Sequence, residues 1–497
     1  MNMPQTEFKR SLTLFDATML VVGSMIGSGI FIVSADMTRM LGSGGYLLLT
    51  WAVTGALTLI AALSYGELAG MNPKAGGQYV YLREAFGPAA GFLYGWTLFT
   101  VIQTGTIAAV AVAFAKYTSV LWPSLGESKE LMSIGNFRIS AAQTVAVLSV
   151  IILTALNIFG VRAGKLVQNT FTVAKTAALL GIILLGLIIG AQTGAFSENL
   201  TNLWEPTRTF IAKKADGTMS IIGVETLSGI GLLMAIGAAM VGSLFSSDAW
   251  NNITFAAGEV KNPKRTIPLG LALGVAIVTG LYILANIAYL FLLPVHGTPD
   301  AADVAGRGMQ FALNDRVGSA AAEVLFGGTG AVIMAVLIMI STFGCNNGLI
   351  LAGARVYYAM ANDGLFFRKA GKLNGNAVPA FALAIQAVWA CILCLSGGYG
   401  ALLDYVITVV LVFYILTILG VFALRRKRPD AERPYKAFGY PILPLFYIAT
   451  AAFIIVSLVV NKTTEAGIGL AIVAAGIPAY FIWKRKTANE PAEIPPL

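Results

Sequence analysis

Val22-Gly23-Ser24-Met25-Ile26-Gly27-Ser28-Gly29 and Val241-Gly242-Ser243-Leu244-Phe245-Ser246-Ser247-Asp248 are polar, glycine-rich interruptions inside long apolar runs, 219 residues apart. In a bilayer core, backbone that leaves the helical path must have its freed N–H and C=O groups satisfied by something else. Such a break persists only where it lines a cavity or holds a ligand. A restarting half-helix presents unpaired N–H groups carrying about +0.5 of a charge, and an ending one presents carbonyls with about −0.5. One break therefore suits both ends of a zwitterion. The N–H groups of Ser28, Gly29 and Ile30 are placed to receive a carboxylate, and the carbonyls of Met25, Phe245 and Asp248 to face an ammonium. With Ile26, Gly27 and Ser246 these residues form the expected binding set. Gly27 and Gly29 suit a sharp turn and the close approach of a ligand. Small residues also pack helices together, but packing alone does not ask for a second break.

Two charges lie deep in apolar runs. Lys175 is ten residues beyond Lys165, or about 15 Å at helical rise, which is near the bilayer midplane. A lysine at that depth costs about 2.5–3.5 kcal/mol and needs a partner or a purpose. Its expected partners are the carbonyls around the first break and Ser341 on the eighth span, rather than a distant interface reached by snorkelling. Asp248 adjoins the second break. Three roles are open to it: binding a cationic side chain, pairing with a basic residue of the protein, or satisfying free N–H groups at the second half-helix, the last being favoured.

The elements that must position these residues are membrane spans. The 497 residues are 57% hydrophobic and only 11% charged, with a mean hydropathy of +0.78. Twelve spans are expected, at 13–41, 44–69, 88–121, 140–160, 166–192, 226–257, 267–293, 326–354, 378–396, 400–424, 440–461 and 466–484. The net charge of +9 follows topology rather than a nucleic-acid surface. Taking the N-terminus as cytoplasmic, 22 of the 33 Lys and Arg residues fall on that side and 10 on the other, with Lys175 alone inside a span. Both termini are expected in the cytoplasm. The first eleven residues are polar and no cleavage site follows, so the first span is read as retained, with Thr13 and Asp16 as its cap. Gly76-Gly77 to Gly87-Pro88 encloses QYVYLREAF, an amphipathic stretch expected along the cytoplasmic surface. The segment 194–225 reads as polar and external, and the Pro- and Glu-containing tail after Lys486 as disordered.

Other chemistry is poorly supported. Cys391 and Cys394 have C-x-x-C spacing but sit mid-span, where cysteine acts as a small hydrophobe. One histidine, His296, cannot build a multi-histidine metal site. An intramembrane enzyme would need a cluster of acids, cysteines or histidines, and the deep acids are Asp248 and Asp404. No enzyme activity, cofactor or metal is expected.

The stretches GSGIFIVSA (27–35), FSSDAWNNITFAAGEVKNPKRTIP (245–268), STFGCNNGLILAGARVYYAMANDGLFF (341–367) and RRKRPDAERPYKAFGYPILP (425–444) resemble the L-type amino acid transporters. These belong to the amino acid–polyamine–organocation superfamily, and this chain looks like a prokaryotic-type member. The resemblance covers essentially the whole chain. It implies an all-α membrane protein with twelve transmembrane helices, a 5+5 inverted repeat of the LeuT type with helices 1 and 6 broken at mid-membrane, and two further C-terminal helices. The corresponding division is a cytoplasmic segment 1–12, a core 13–424 with repeats 13–192 and 226–424, helices eleven and twelve with their preceding loop over 425–484, and a cytoplasmic tail 485–497.

The same resemblance makes Phe245 a gate over the ligand. Lys175 and Ser341 then stand in for the sodium site of sodium-coupled relatives, which implies sodium independence. The implied activity is transport of amino acids, neutral ones first, across the plasma (inner) membrane by alternating access, with exchange favoured. Proton symport stays open because a buried lysine can also gain and lose a proton, as does a permease-fold amino acid sensor. Relatives in animals pair with a glycoprotein through a cysteine between spans three and four. This chain has none there and is expected to act alone, with substrate and lipid as its only partners.

Overall fold

A computed structural model describes residues 10, 12–73, 76–134, 137–159, 162–213, 219–376, 378–396 and 399–488. Lys9, Lys74 and Lys214, counted among the flanking charges above, and residues 489–497 of the expected tail lie outside them.

The first half runs α1 (Leu14–Met25), a 3-10 turn (Gly29–Phe31), α2 (Ser34–Leu41), α3 (Gly44–Met71), α4 (Gln78–Phe86) and α5 (Pro88–Thr97). A π-helical turn (Leu98–Ile102) joins α5 to α6 (Gln103–Leu121), followed by α7 (Ala141–Phe159), α8 (Arg162–Gly190) and α9 (Ala195–Thr201). The second half runs α10 (Gly229–Ser246), α11 (Asn252–Phe255), α12 (Pro263–Leu292), α13 (Val304–Arg307), α14 (Val317–Phe326), α15 (Gly328–Asn362), α16 (Ala380–Ser396) and α17 (Tyr399–Lys427). Then come α18 (Ile442–Asn461) and α19 (Thr463–Ala488). Two antiparallel hairpins form in the connections, β1 (Glu130–Ile134) with β2 (Phe137–Ser140) and β3 (Thr207–Lys213) with β4 (Met219–Thr226), the second lying almost wholly in the segment 194–225 read as polar and external.

Ten of the described helical runs are long and apolar enough to cross a bilayer. The interrupted pair α1/α2 and the shorter α16 complete the twelve expected crossings. In each set of five, the first crossing is the interrupted one.

Local chemistry sets where the helices begin. Thr13 and Asp16 form the expected capping box, with Asp16 N–H donating to Thr13 Oγ1 at 3.3 Å and Thr13 N–H to Asp16 Oδ2 at 3.0 Å. Close helix contact then rests on small residues, as it must where lipid supplies no hydrophobic drive. A Cβ on Gly274 of α12 would lie 2.5 Å from Val21 Cγ1 of α1, so these helices touch backbone to side chain. That contact brings Tyr282, further along α12, to the end of α1.

Two expectations change. The stretch QYVYLREAF does not span, but neither does it lie on the surface. As α4 it is enclosed, with Gln78, Tyr79, Val80, Tyr81 and Leu82 all buried. Gln78 Nε2 donates to the Phe413 carbonyl and Thr417 Oγ1 of α17 at 3.2 and 3.0 Å, which holds α4 under the bundle. The sixth crossing also stays helical through Ser246, further than the motif starting at Val241 suggests.

The end of the bundle that holds Leu12 is laced by ion pairs. Glu67, 1% exposed, accepts from Arg425 Nε and Nη2 at 2.9 and 2.7 Å and from the Ala437 N–H at 2.7 Å, joining α3 to the 425–444 motif. Glu259 pairs with Arg355 of α15 at 2.8 Å. Leu12 bonds across to the chain after α11, donating to the Glu259 carbonyl at 3.0 Å and accepting from Lys261 N–H at 2.8 Å.

Candidate functional site

An α-helix ends with carbonyls that have no intrahelical partner. At the end of α1 these carbonyls are capped by side chains from three other helices. Lys175 Nζ of α8 donates to Gly23 O at 2.5 Å and to Ile26 O at 2.6 Å. Cys345 Sγ of α15 reaches Ser24 O at 3.3 Å, and Tyr282 Oη of α12 reaches Met25 O at 3.0 Å. Ser341 Oγ lies 3.4 Å from the carbonyls of both Ile26 and Gly27. Lys175 is 1% exposed, so its charge is met inside the fold and not at an interface. The α1 dipole and the partial charges of two carbonyls oppose that charge.

On the far side of the break the polarity reverses. Among the described residues no acceptor is bonded to the N–H groups of Ser28, Gly29 or Ile30. Neither Gly27 nor Gly29 adopts a positive φ. What Gly29 provides is proximity, because an added Cβ would lie 2.1 Å from Ser246 Oγ and 3.0 Å from Ser246 Cα. At Gly27 the nearest atom to an added Cβ would be Cys345 Sγ at 3.5 Å, an ordinary contact.

The second break occupies Ser247 to Asn251, later than the motif starting at Val241. Ser246 Oγ turns back to the Gly242 carbonyl at 2.8 Å and Ser247 N–H to Ser243 O at 3.0 Å, so the helix persists. The path breaks at Ala249, whose φ is +64°. Phe245 O accepts the Asp248 N–H at 3.2 Å. Of the three carbonyls expected to accept an ammonium, those of Met25 and Phe245 thus already hold one internal donor, and each retains a second lone pair.

Tyr282 links the breaks. Its hydroxyl lies 3.0 Å from Met25 O and 3.1 Å from Ser246 O, and its single proton can serve only one of them at a time. Above the first break, Tyr399 Oη lies 3.2 Å from Ser28 Oγ, and its ring meets that of Phe245 edge-on at 6.1 Å.

Asp248 is 9% exposed and Oδ1 accepts from Tyr414 Oη at 2.5 Å. Among the described residues it forms no ion pair with Lys or Arg. It faces two cavities. One is lined also by Gln78, Tyr94, Gln103, Asn251 and Asn252, and the other by Thr58, Ser247, Trp250 and Tyr447. The buried Asn252 amide nitrogen, on a residue lining the first cavity, has no hydrogen-bond partner among the described residues. No group of three His, Cys, Asp or Glu residues able to hold a metal occurs among the described residues. Asp404, the other deep acid, is bound to Lys462 Nζ at 2.8 and 2.9 Å.

The structure thus gathers Met25 to Ile30, Lys175, Ser341, Phe245 and Ser246 into one region, with Asp248 two residues further on. Sequence reasoning misses Tyr282, Tyr399, Tyr414 and Cys345. A phenol in an apolar helix needs a polar partner, which is the signal available for the tyrosines.

The profile of the amino acid permease family matches residues 12–478. A serine/threonine exchanger, SteT, of Bacillus subtilis (strain 168) is 29% identical over 97% of this chain and 98% of its own length. The mouse b(0,+)-type amino acid transporter 1 is 28% identical over 96% of this chain and 88% of its own. The human large neutral amino acids transporter small subunit 2 is 28% identical over 96% and 82% respectively.

Proposed function

The chain belongs to the amino acid permease family, a family of multi-pass membrane transporters and not enzymes, and on that premise we propose that it exchanges neutral amino acids across the plasma membrane without sodium. One observation carries this reading: the Lys175 ammonium occupies the carbonyls of Gly23 and Ile26, where a coupling cation would otherwise find its oxygens. A resident fixed charge removes the need for a bound driving cation. The exchanger named among the relatives supports the same mode.

In this mechanism the N–H groups of Ser28, Gly29 and Ile30 receive the substrate carboxylate, and the Met25 carbonyl, with those of Phe245 and Asp248, takes the ammonium. As the ammonium arrives at Met25 O, the Tyr282 proton turns to Ser246 O, so neither carbonyl loses its donor. Phe245 and Tyr399 close the site on one side. The belt of Leu12, Glu259 and Arg355 closes it on the other, at the end assigned to the cytoplasm with both termini. Helices α1 to α8 and α10 to α17 act as the inverted repeats 13–192 and 226–424, with α18 and α19 as additions, and the protein works without an obligatory partner.

The test is uptake of labelled amino acids by purified protein in liposomes, with internal amino acid, sodium and pH varied separately. Uptake that requires internal amino acid and ignores sodium supports exchange. Binding without flux would instead identify a sensor. A second reading, proton symport, is favoured by the buried Asp248 carboxyl, which has a phenol beside it and no ion pair with Lys or Arg among the described residues.

A further inference from the structure

On the end of the bundle opposite Leu12, two cations stand over the closed site. Lys116, near the end of α6, is half-buried, with its Nζ 5.7 Å from the centre of the Tyr399 ring. Arg316 is only 9% exposed, yet its hydrogen bonds go to carbonyls: Nε to Leu313 O at 3.2 Å and Nη1 to Lys116 O at 3.1 Å. Among the described residues neither cation forms an ion pair. Glu127 and Glu323 lie in the field of Arg316 without pairing to it, and the neighbouring Asp315 is taken by Arg39 at 2.8 Å.

The cations connect to the first break through aromatic residues. Tyr399 separates Lys116 from Ser28, the first residue of the N–H cradle, by the thickness of one side chain. Tyr117, next to Lys116, donates its hydroxyl to Phe31 O at 3.2 Å, just past that cradle. A nearly buried guanidinium that forms no ion pair among the described residues is bonded to the backbone carbonyl of Lys116, whose own ammonium lies over a ring, and together they leave positive charge that no carboxylate pairs directly.

We propose that Lys116 and Arg316 form an outer docking site for the α-carboxylate of an amino acid, from which it passes to the N–H groups of Ser28 to Ile30 when Tyr399 swings aside. This rests on the transport reading above. The carboxylate exchanges one set of charge-assisted donors for another and is not stripped bare between them. The site acts on one face of the membrane only.

The experiment measures KM for a labelled neutral amino acid separately from each face of proteoliposomes, for wild type, Lys116→Gln and Lys116→Arg. The expected result is a KM about fivefold or more higher for Lys116→Gln from the Lys116 face alone, with kcat nearly unchanged and the Lys116→Arg value close to wild type. Raising ionic strength raises the wild-type KM on that face and narrows its difference from Lys116→Gln. An unchanged KM on that face, or equal increases on both faces, overturns the docking site. Absence of amino acid transport by the wild type would overturn the transport reading instead, so the two failures are distinct.

Discussion

The ammonium of Lys175 donates to the carbonyl of Ile26 at 2.6 Å, in the middle of the first break and buried from solvent. Ser341 points its hydroxyl at the same oxygen from 3.4 Å. Replacing Lys175 with Ala strips the Gly23 carbonyl of its ammonium donor, at about 1–3 kcal/mol, and leaves the Ile26 carbonyl only the longer contact from Ser341. We expect uptake to fall at least about tenfold while the protein still elutes as a folded species on size exclusion. Wild-type uptake by Lys175→Ala, with and without sodium, would refute the assignment of Lys175 to the coupling position.

Gly29 and Gly27 are predicted to differ. Gly29→Val or Gly29→Ala pushes a Cβ into Ser246 and forces the two breaks apart, so binding of every amino acid should be lost. Gly27→Ala meets Cys345 Sγ at 3.5 Å and Met25 O at 4.0 Å, both ordinary contacts, and should bind within about tenfold of wild type. A scintillation proximity assay measures both. Retained affinity in the Gly29 variants would place the site elsewhere.

Asp248 faces two cavities and pairs with no basic residue among those described. Arginine and lysine should therefore compete with a labelled neutral amino acid in wild type. In Asp248→Asn that competition should disappear, while neutral exchange stays within about threefold because the Tyr414 hydroxyl can bond to an amide oxygen. Equal inhibition by arginine in both proteins would count against contact between Asp248 and a substrate cation.

Coupling is tested by loading liposomes with unlabelled neutral amino acid and following a labelled one at constant pH without sodium. Exchange predicts that uptake rises with internal substrate. Uptake that ignores internal substrate but follows an imposed pH gradient would establish proton symport.

Glu67 carries a stability prediction. It is buried and holds Arg425 in a two-point bond together with the Ala437 N–H and an ion pair to Arg433 at 3.4 Å, so Glu67→Ala leaves two arginines and an amide without this acceptor. A loss of about 3 kcal/mol is expected, read as a lower Tm in detergent. An unchanged Tm would show that water replaces the carboxylate at no cost.

Several of these features are legible in the amino-acid chain itself. Apolar runs of span length, a lysine ten residues into one of them, and glycine-rich polar breaks at Gly27 and near Asp248 all follow from the same fact. The cost of polar groups in hydrocarbon is a property of each residue and its depth, so it can be read along one dimension. The Thr13–Asp16 cap is legible for a similar reason, since its partners lie three residues apart.

Tertiary structure alone decided which donor meets which carbonyl. Tyr282 lies 257 residues from Met25 and Tyr399 lies 371 from Ser28, and nothing local to either tyrosine selects its partner. The partner is set by where α12 crosses α1 and where α17 begins, through contacts such as Gly274 on Val21. The exact place of the second break is hidden likewise, because Ser246 could either leave the helix or bond back to Gly242. The burial of α4 depends on Gln78 finding acceptors on α17. Hydropathy specifies that a polar group in the membrane needs a partner, whereas only the packed helices specify the distance and direction at which that partner stands.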